Sequence, residues 1–562
     1  MFRLWHPAVL PLALAASILA TSSDPQPQAV DRVFAHYDHT STPGCALGVF
    51  RDGKVIYTRG YGMADLNQGT PITPATVFYI ASTSKQFTAM SIALLAEQGK
   101  ISLDDGVRKW VPELPLYAEK ITIRHLVHHT SGIRDYLGLW ALSGRSIADE
   151  IPEAAALDLI SRQRAVDFEP GSEYSYSNSG YFLLSVIVKR ASGLSLRQFA
   201  QANIFGPLGL TSTHFHDNGA EIVPRRAEGY QPSGVGGAET EGNQPSVAGG
   251  FEIVRTSFAG VGDGGLLTTV TDLAKWDENF FGNRLGSRGQ GLIDQVTTVG
   301  RLTSGEQENY AFGLMTRTYR GLPVIDHGGA FIGFRAQLMR FPTQHFSVAI
   351  LCNDYTAAPE RLAEQVADLF LGDKLSPAGG PHAVSGVAVP AARLDRWVGR
   401  YEVAPGFVGQ VARTESGLTM TVFGGTFPLA ATNDSTFTLV GPGTKMEFHT
   451  TAAGPTLRAP GFGSAQSQRL GAAPTLTPAA AAAYAGRYRS EELDTWADIE
   501  AKGDTVKART RWSEWRVLEP VTRDMFVVPG VRVAFDRDKS GRVSGFRMSQ
   551  VRTHNVGFRR VR

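Results

Sequence analysis

Several things are scarce in this chain of 562 residues, and each shortage removes a class of reading. There are two cysteines, Cys45 and Cys352, and neither has a second Cys at metal-ligand spacing, so a structural zinc has no support. Charge of one sign is also missing. The 55 basic residues nearly balance the 53 acidic ones, and no long Lys/Arg tract or basic helix with interleaved aromatics occurs. That sets nucleic acid aside as a partner. No Gly-x-Ser-x-Gly is present, which argues against a nucleophile elbow of the α/β-hydrolase kind. No His-Glu-x-x-His is present either, and His125, His128 and His129 lack the three or four convergent ligands a zinc site needs. Gly262-Asp-Gly-Gly265 lacks the serine that a chymotrypsin-like reading would require. No cofactor is implied.

Long apolar runs are absent beyond the N-terminus. Arg3 followed by a nearly unbroken apolar stretch over residues 8–20, then small residues at 20–23, reads as a cleaved export signal spanning residues 1–22. The run is too short to span a bilayer, and no cysteine follows it for lipid attachment. The expected product is secreted or periplasmic, with no stable membrane anchor. Cys45 and Cys352 both lie in apolar, strand-like stretches. They are either two buried thiols, the preferred reading on these residues, or a single disulfide if the two strands are neighbours.

What is present has a definite order. A hairpin pattern over residues 45–57 turns at Asp52-Gly53. A helical region follows, with helices expected at 84–97, 154–162, 181–191 and 196–204, then a Gly-rich stretch of loops from about 219 to 250. Three short strands (322–327, 333–340 and 346–352) and a helix over 359–371 close the first region. Strands, then helices, then strands indicate an α+β domain in which helices are inserted within one antiparallel sheet. This domain is assigned residues 23–375.

Residues 376–388 are linker-like. Short alternating strands then predominate in two blocks, 389–470 and 484–562, separated by an Ala/Pro-rich spacer at 471–483. Trp397-Val-Gly-Arg-Tyr401 recurs as Tyr484-Ala-Gly-Arg-Tyr488, so the blocks are read as two copies of one small antiparallel β-barrel.

Three short motifs carry the chemistry. In Ser82-Thr-Ser-Lys85 the serine and lysine share a helix face, and a partly desolvated amine can take the proton of a hydroxyl nucleophile. No other lysine in the chain has a serine three positions before it. Tyr176-Ser-Asn178 supplies a phenol that needs a cationic neighbour to act as a base. Asp326-His327-Gly-Gly-Ala330 ends a strand, where glycines admit a substrate backbone and an N–H can stabilise an oxyanion. Each motif alone has an ordinary structural explanation.

Together, in this order, the motifs resemble the serine β-lactamase and penicillin-binding-protein superfamily in its class C β-lactamase-like branch. Leu126-Val-His-His-Thr-Ser-Gly132, Phe205-Gly-Pro-Leu-Gly-Leu210 and Gly264-Gly-Leu-Leu-Thr-Thr-Val-Thr-Asp272 are similar to accessory stretches of the same branch. The resemblance covers about residues 35–372. It implies a five-stranded antiparallel sheet flanked by helices, followed here by two small lipocalin-like barrels. In that fold the first and last strands pair, which would bring Cys45 and Cys352 together.

The resemblance also implies the roles. Ser82 would be acylated, Lys85 and Tyr176 would move its proton, and Asn178 would contact the substrate amide. His327 would support Tyr176 or bind the substrate terminus, beside Gly329. The backbone N–H groups of Ser82 and Ala330 would form the oxyanion hole. His327 stands where dedicated β-lactamases of the branch carry lysine, which is similar to D-amino-acid peptidases and related esterases. The expected substrates are small peptides, with esters or β-lactams as the alternative within the enzyme class. A penicillin-binding sensor that acylates without turnover is the reading from another class. A barrel loop can reach the cleft in such architectures, but no residue of these barrels is singled out by its sequence. The oligomeric state is left open.

Overall fold

Cys45–Arg51 is buried along almost its whole length, so both faces of the sheet it belongs to are covered. In a computed structural model of the protein, residues 24–234, 250–255, 260–377, 387–441, 443–460 and 466–561 are described. The expected signal peptide, most of the Gly-rich stretch before residue 250 and most of the linker after Pro377 lie outside the described residues.

The sheet has six strands in the order Met315–Tyr319, Leu322–Phe331, Phe334–Phe341, Phe346–Cys352, Cys45–Arg51, Lys54–Tyr61. All neighbours are antiparallel. Five were expected; the sixth, Met315–Tyr319, is an edge strand whose half-buried side chains give no clean alternation. Because side chains alternate across a strand, Leu47, Val49, Val348 and Ile350 form one apolar layer with Leu362, Val366 and Phe370 of the helix Pro359–Leu371. Ala46, Phe50, Ala349 and Leu351 face the other way. There they meet the helical region that carries Lys85–Glu97 and Asn178–Ser192. Each large apolar side chain buried this way contributes about 1.5–3 kcal/mol. The expected helices are found at Lys85–Glu97, Glu153–Ser161 and Asn178–Ser192, and at Leu196–Ala200 continued by a wider turn through Phe205.

The first and last strands of the domain do pair, with Cys45 directly opposite Cys352. The two residues form a disulfide. The preference for buried thiols is therefore corrected: the pairing of strands far apart in sequence brings the two sulfurs together.

Two closed eight-stranded antiparallel barrels follow. The repeated pentapeptide does the same job in each. Tyr401 Oη donates to the Trp397 carbonyl at 3.0 Å, and Tyr488 Oη donates to the Tyr484 carbonyl at 2.7 Å. The spacer between them holds a short helix, Pro478–Ala482, capped by Thr477. The two barrels differ in their surroundings. The first has its own core around Trp397, Tyr401 and Phe448. The core of the second, with Tyr484, Tyr488 and Phe546, is continuous with that of the sheet domain. Among the described residues no helix is long and apolar enough to cross a membrane.

Replacing Cys45 and Cys352 together by serine should lower stability by about 2–5 kcal/mol, since the crosslink closes a very long loop in the unfolded chain. Urea unfolding followed by Trp fluorescence, with and without reductant, checks this; the wild type with reductant should match the double variant.

Candidate active site

The chain enters Ser82 through a conformation that few residues adopt. Ala81 has φ +47°, and a short 3-10 turn, Ala81–Ser84, leads into the helix Lys85–Glu97. Ser84 Oγ donates to the Ala81 carbonyl and holds the turn. Positive φ at a residue other than Gly costs about 1–3 kcal/mol and persists where the surroundings impose it. Here the effect is to leave Ser82 partly exposed while Thr83, Ser84 and Lys85 are buried.

Lys85 is fully buried, and three oxygens surround its Nζ. It lies 3.1 Å from Ser82 Oγ, 2.9 Å from Asn178 Oδ1 and 2.6 Å from the Asp263 carbonyl. Burial pulls its pKa well below the ordinary lysine range; the carboxylates of Asp263 and Asp135 oppose this, and the Arg552 cation reinforces it. Asp263 is also buried, which raises its carboxyl above the usual range against the pull of Lys85. Its Oδ2 accepts from Tyr136 Oη at 3.1 Å, while Oδ1 has no partner.

Tyr176 faces the same amine, with Lys85 Nζ 4.8 Å from its ring centroid. Burial pushes its phenol above the ordinary range, and the Ser82 hydroxyl and the Arg552 cation work against that shift. Its Oη is buried without a closed hydrogen bond, as is common for catalytic groups before substrate arrives. Asn178 opens the helix Asn178–Ser192. Its N–H donates to Asp135 Oδ2 at 2.7 Å and its Oδ1 accepts from Lys85, so it orients the amine. Its Nδ2 donates to no protein atom among the described residues.

The strand Leu322–Phe331 brings in the third motif. Its first half pairs with Met315–Tyr319, up to Asp326, and its second half pairs only with Phe334–Phe341. One edge of His327–Phe331 is thus left without a strand neighbour. A Cβ on Gly329 would lie 2.1 Å from the Ile80 carbonyl oxygen and 2.9 Å from Thr83 Oγ1. The sequence reading gave the glycines to substrate approach; at Gly329 the group that approaches is the nucleophile turn itself. Ala330 follows and is exposed.

His327 is at the site, but not as a charge. Its Nε2 pairs with Tyr310 Oη at 2.9 Å and its Nδ1 with the Gly328 carbonyl at 2.6 Å. Burial and the Lys85 cation drive its pKa down to about 3, so the ring is neutral at physiological pH. Electrostatic support of Tyr176 by an imidazolium is not available from this ring. The other histidines are structural. His125 Nδ1 accepts the Thr122 N–H, His128 Nδ1 pairs with the Tyr310 carbonyl, and His129 Nδ1 accepts the Ser177 N–H. One His/carboxylate triangle occurs among the described residues, at His214, His216 and Glu221. Arg197 grips Glu221 through two hydrogen bonds, and Arg226 Nη1 faces His216 Nε2 at 3.4 Å. Guanidinium groups thus stand where a cation would have to enter.

Sequence reasoning missed five contributors. Asp135 and Tyr136 come three and four residues after the accessory stretch that ends at Gly132, so their nearness to the site had a signal. Asp263 lay in a Gly-rich turn considered only for the serine it lacks. Tyr310 had no motif, and neither did Arg552, whose guanidinium lies 4.7 Å from the Tyr176 ring centroid.

A partly exposed serine beside a buried lysine whose pKa is lowered by burial, set against a strand edge, defines a serine hydrolase of the β-lactamase fold. The sequence matches the Beta-lactamase family over residues 30–372, and the chain belongs to that family. It is 28% identical over 547 residues to a D-aminopeptidase of Cereibacter sphaeroides, covering 92% of this chain and 96% of the relative. Among solved structures, the octameric penicillin-binding protein homologue of Pyrococcus abyssi superposes with a TM-score of 0.53 at 21% identity, covering 87% of this chain and 98% of that one. The D-amino acid amidase of Ochrobactrum anthropi superposes with a TM-score of 0.52 at 22% identity, covering 62% of this chain and 99% of that one.

The glycine contacts give a paired prediction. Gly329→Ala should cut kcat/KM for any acyl substrate by about 100-fold, because its Cβ displaces the backbone before Ser82. Gly328→Ala should lose less than about tenfold, since its Cβ meets the movable Gln337 side chain, at 2.9 Å. Steady-state kinetics on a p-nitrophenyl ester reads both.

Proposed function

We propose that the protein is an exported peptidase that hydrolyses amide bonds of small peptides beside a D-residue, through an acyl-enzyme on Ser82. The observation that carries this reading is the Lys85 amine, buried 3.1 Å from Ser82 Oγ with its pKa lowered by burial. A neutral amine at that distance is a general base. Similarity to a D-aminopeptidase over nearly the whole chain, barrels included, supports the choice of amide substrates. The Cys45–Cys352 disulfide supports an oxidising compartment.

The steps in this reading are as follows. The substrate backbone lies along the open edge of His327–Phe331, which places a carbonyl before Ser82. Ser82 Oγ attacks its carbon and gives its proton to Lys85 Nζ. The oxyanion is held by the backbone N–H groups of Ser82 and Ala330. Tyr176, protonated because its pKa is raised, donates to the leaving nitrogen, and the Lys85 ammonium returns a proton to the phenolate. The amine departs and the acyl group stays on Ser82. Water then enters and attacks the acyl carbon as Lys85 takes its proton; the bond to Ser82 Oγ breaks, Ser82 takes that proton back from Lys85, and the acid leaves. These groups share one proton network, so its pH dependence belongs to the network as a whole.

Ester and β-lactam carbonyls would meet the same groups. Rates on D-alanyl amides, short p-nitrophenyl esters and nitrocefin separate the cases; fast ester turnover beside negligible amide turnover would remove the peptidase reading. Intact-mass spectrometry separates an enzyme from a sensor, since an enzyme shows a short-lived adduct on Ser82 and a sensor a lasting one. Ser82→Ala should abolish both adduct and turnover.

The sign of the pH effect is fixed by Lys85. Below its lowered pKa the amine is protonated and cannot accept the Ser82 proton, so kcat/KM should rise with pH through that pKa. The plateau should be reached well below the ordinary lysine value of about 10.4. A pH–rate profile whose acid limb falls near that ordinary value would contradict the role given to Lys85.

A further inference from the structure

The steps above use nothing from the second barrel, yet that barrel sets a cation at the site. Val543–Gln550 and Thr553–Arg560 form its last hairpin, and Arg552 is at the tip. The tip is docked by backbone contacts. The Asp135 N–H donates to the Arg552 carbonyl at 2.9 Å, Thr553 Oγ1 donates to the Asp135 carbonyl at 3.1 Å, and the His554 N–H donates to Asp167 Oδ1 at 3.0 Å. Behind the tip, Arg134 is buried between Asp167, at 3.2 Å, and Glu492, at 2.6 Å. The main chain of Arg552 is therefore held in place, and only its side chain is free to move.

That side chain lacks the ion pairs that hold several other arginines of this barrel. Arg532, Arg537 and Arg547 are each paired with a carboxylate. The Arg552 guanidinium has no hydrogen bond or ion pair among the described residues and lies over the face of Tyr176. The residue is exposed, and its charge is felt by Lys85, His129, Tyr174 and Tyr176. A stacked guanidinium keeps its planar fork of donors free in the ring plane, which suits a carboxylate. The cation expected at the third motif is absent, because His327 is neutral.

The geometry points to Arg552 as the carboxylate receptor of the substrate site. Resting on the proposed peptidase activity, this narrows the substrate to short peptides with a free carboxylate near the scissile bond. It disfavours an ammonium there, which the Arg552 cation would repel.

The test compares N-acetyl-D-alanyl-D-alanine with its C-terminal amide, which differ only in that charge. The wild type should favour the acid in kcat/KM by roughly tenfold or more, the range of one charge-assisted pair. Arg552→Gln should bring the ratio to about one, mainly through KM, and Arg552→Lys should keep part of it. Equal rates in the wild type, or an unchanged ratio in Arg552→Gln, would overturn the assignment. Labelling of Ser82 by a neutral fluorophosphonate separates the two levels. Labelling without preference sinks the Arg552 inference alone; no labelling and no turnover sink the peptidase reading and the inference with it. If Ser82 labels but neither dipeptide is cleaved, the same ratio is read from p-nitrophenyl hydrogen glutarate against p-nitrophenyl butyrate, and its absence there overturns the assignment.

Discussion

Everything at this site depends on keeping one lysine amine away from water. A buried ammonium is costly, and the protein meets that cost partly with neutral oxygens and partly by letting the proton leave. Lys85 has the Asp263 carbonyl and Asn178 Oδ1 as fixed acceptors, with Ser82 Oγ as the third. Asn178 is held in turn by Asp135, and Asp135 by the carbonyl of Arg552. A single line of hydrogen bonds thus runs from the nucleophile to the last hairpin of the chain. The positive φ at Ala81 and the missing side chain at Gly329 serve the same end, since they let the nucleophile turn sit against the strand.

The second barrel is consequently packed as one body with the domain that holds the site. Its apolar core merges with that of the sheet domain, and the Arg134–Glu492–Asp167 cluster at the seam is nearly dry. Removing one member of such a cluster leaves an uncompensated buried charge, which costs about 3–5 kcal/mol. The first barrel is tied in differently. It keeps a separate core and meets the second barrel through Glu402 and Arg532, 2.8 Å apart.

Much of the fold was legible because it is written in local periodicity. The closing helix over 359–371 was read with its observed ends, since its apolar residues recur at helical spacing. The barrel strands Thr436–Leu439 and Met525–Val528 were legible for the equivalent reason at period two. Met315–Tyr319 was not, being an edge strand with neither a buried face nor a clean alternation. The final hairpin was missed too, because Val543–Gln550 and Thr553–Arg560 mix Gly, Arg and Ser with their apolar positions. That miss mattered most, since this hairpin carries Arg552.

By itself the sequence determined which motifs the fold brings together. Ser-x-x-Lys on one helix face, Tyr-x-Asn at a helix start and His-x-Gly on a strand are local patterns, and residue spacing is enough to read them. The tertiary structure alone decided their protonation and their company. Whether Lys85 is a base, whether His327 carries charge, and whether Cys45 meets Cys352 all depend on burial and on contacts between distant segments. So does the nearness of Arg552 to Tyr176. Desolvation and through-space distance are properties of packing, and no local period in the chain encodes them.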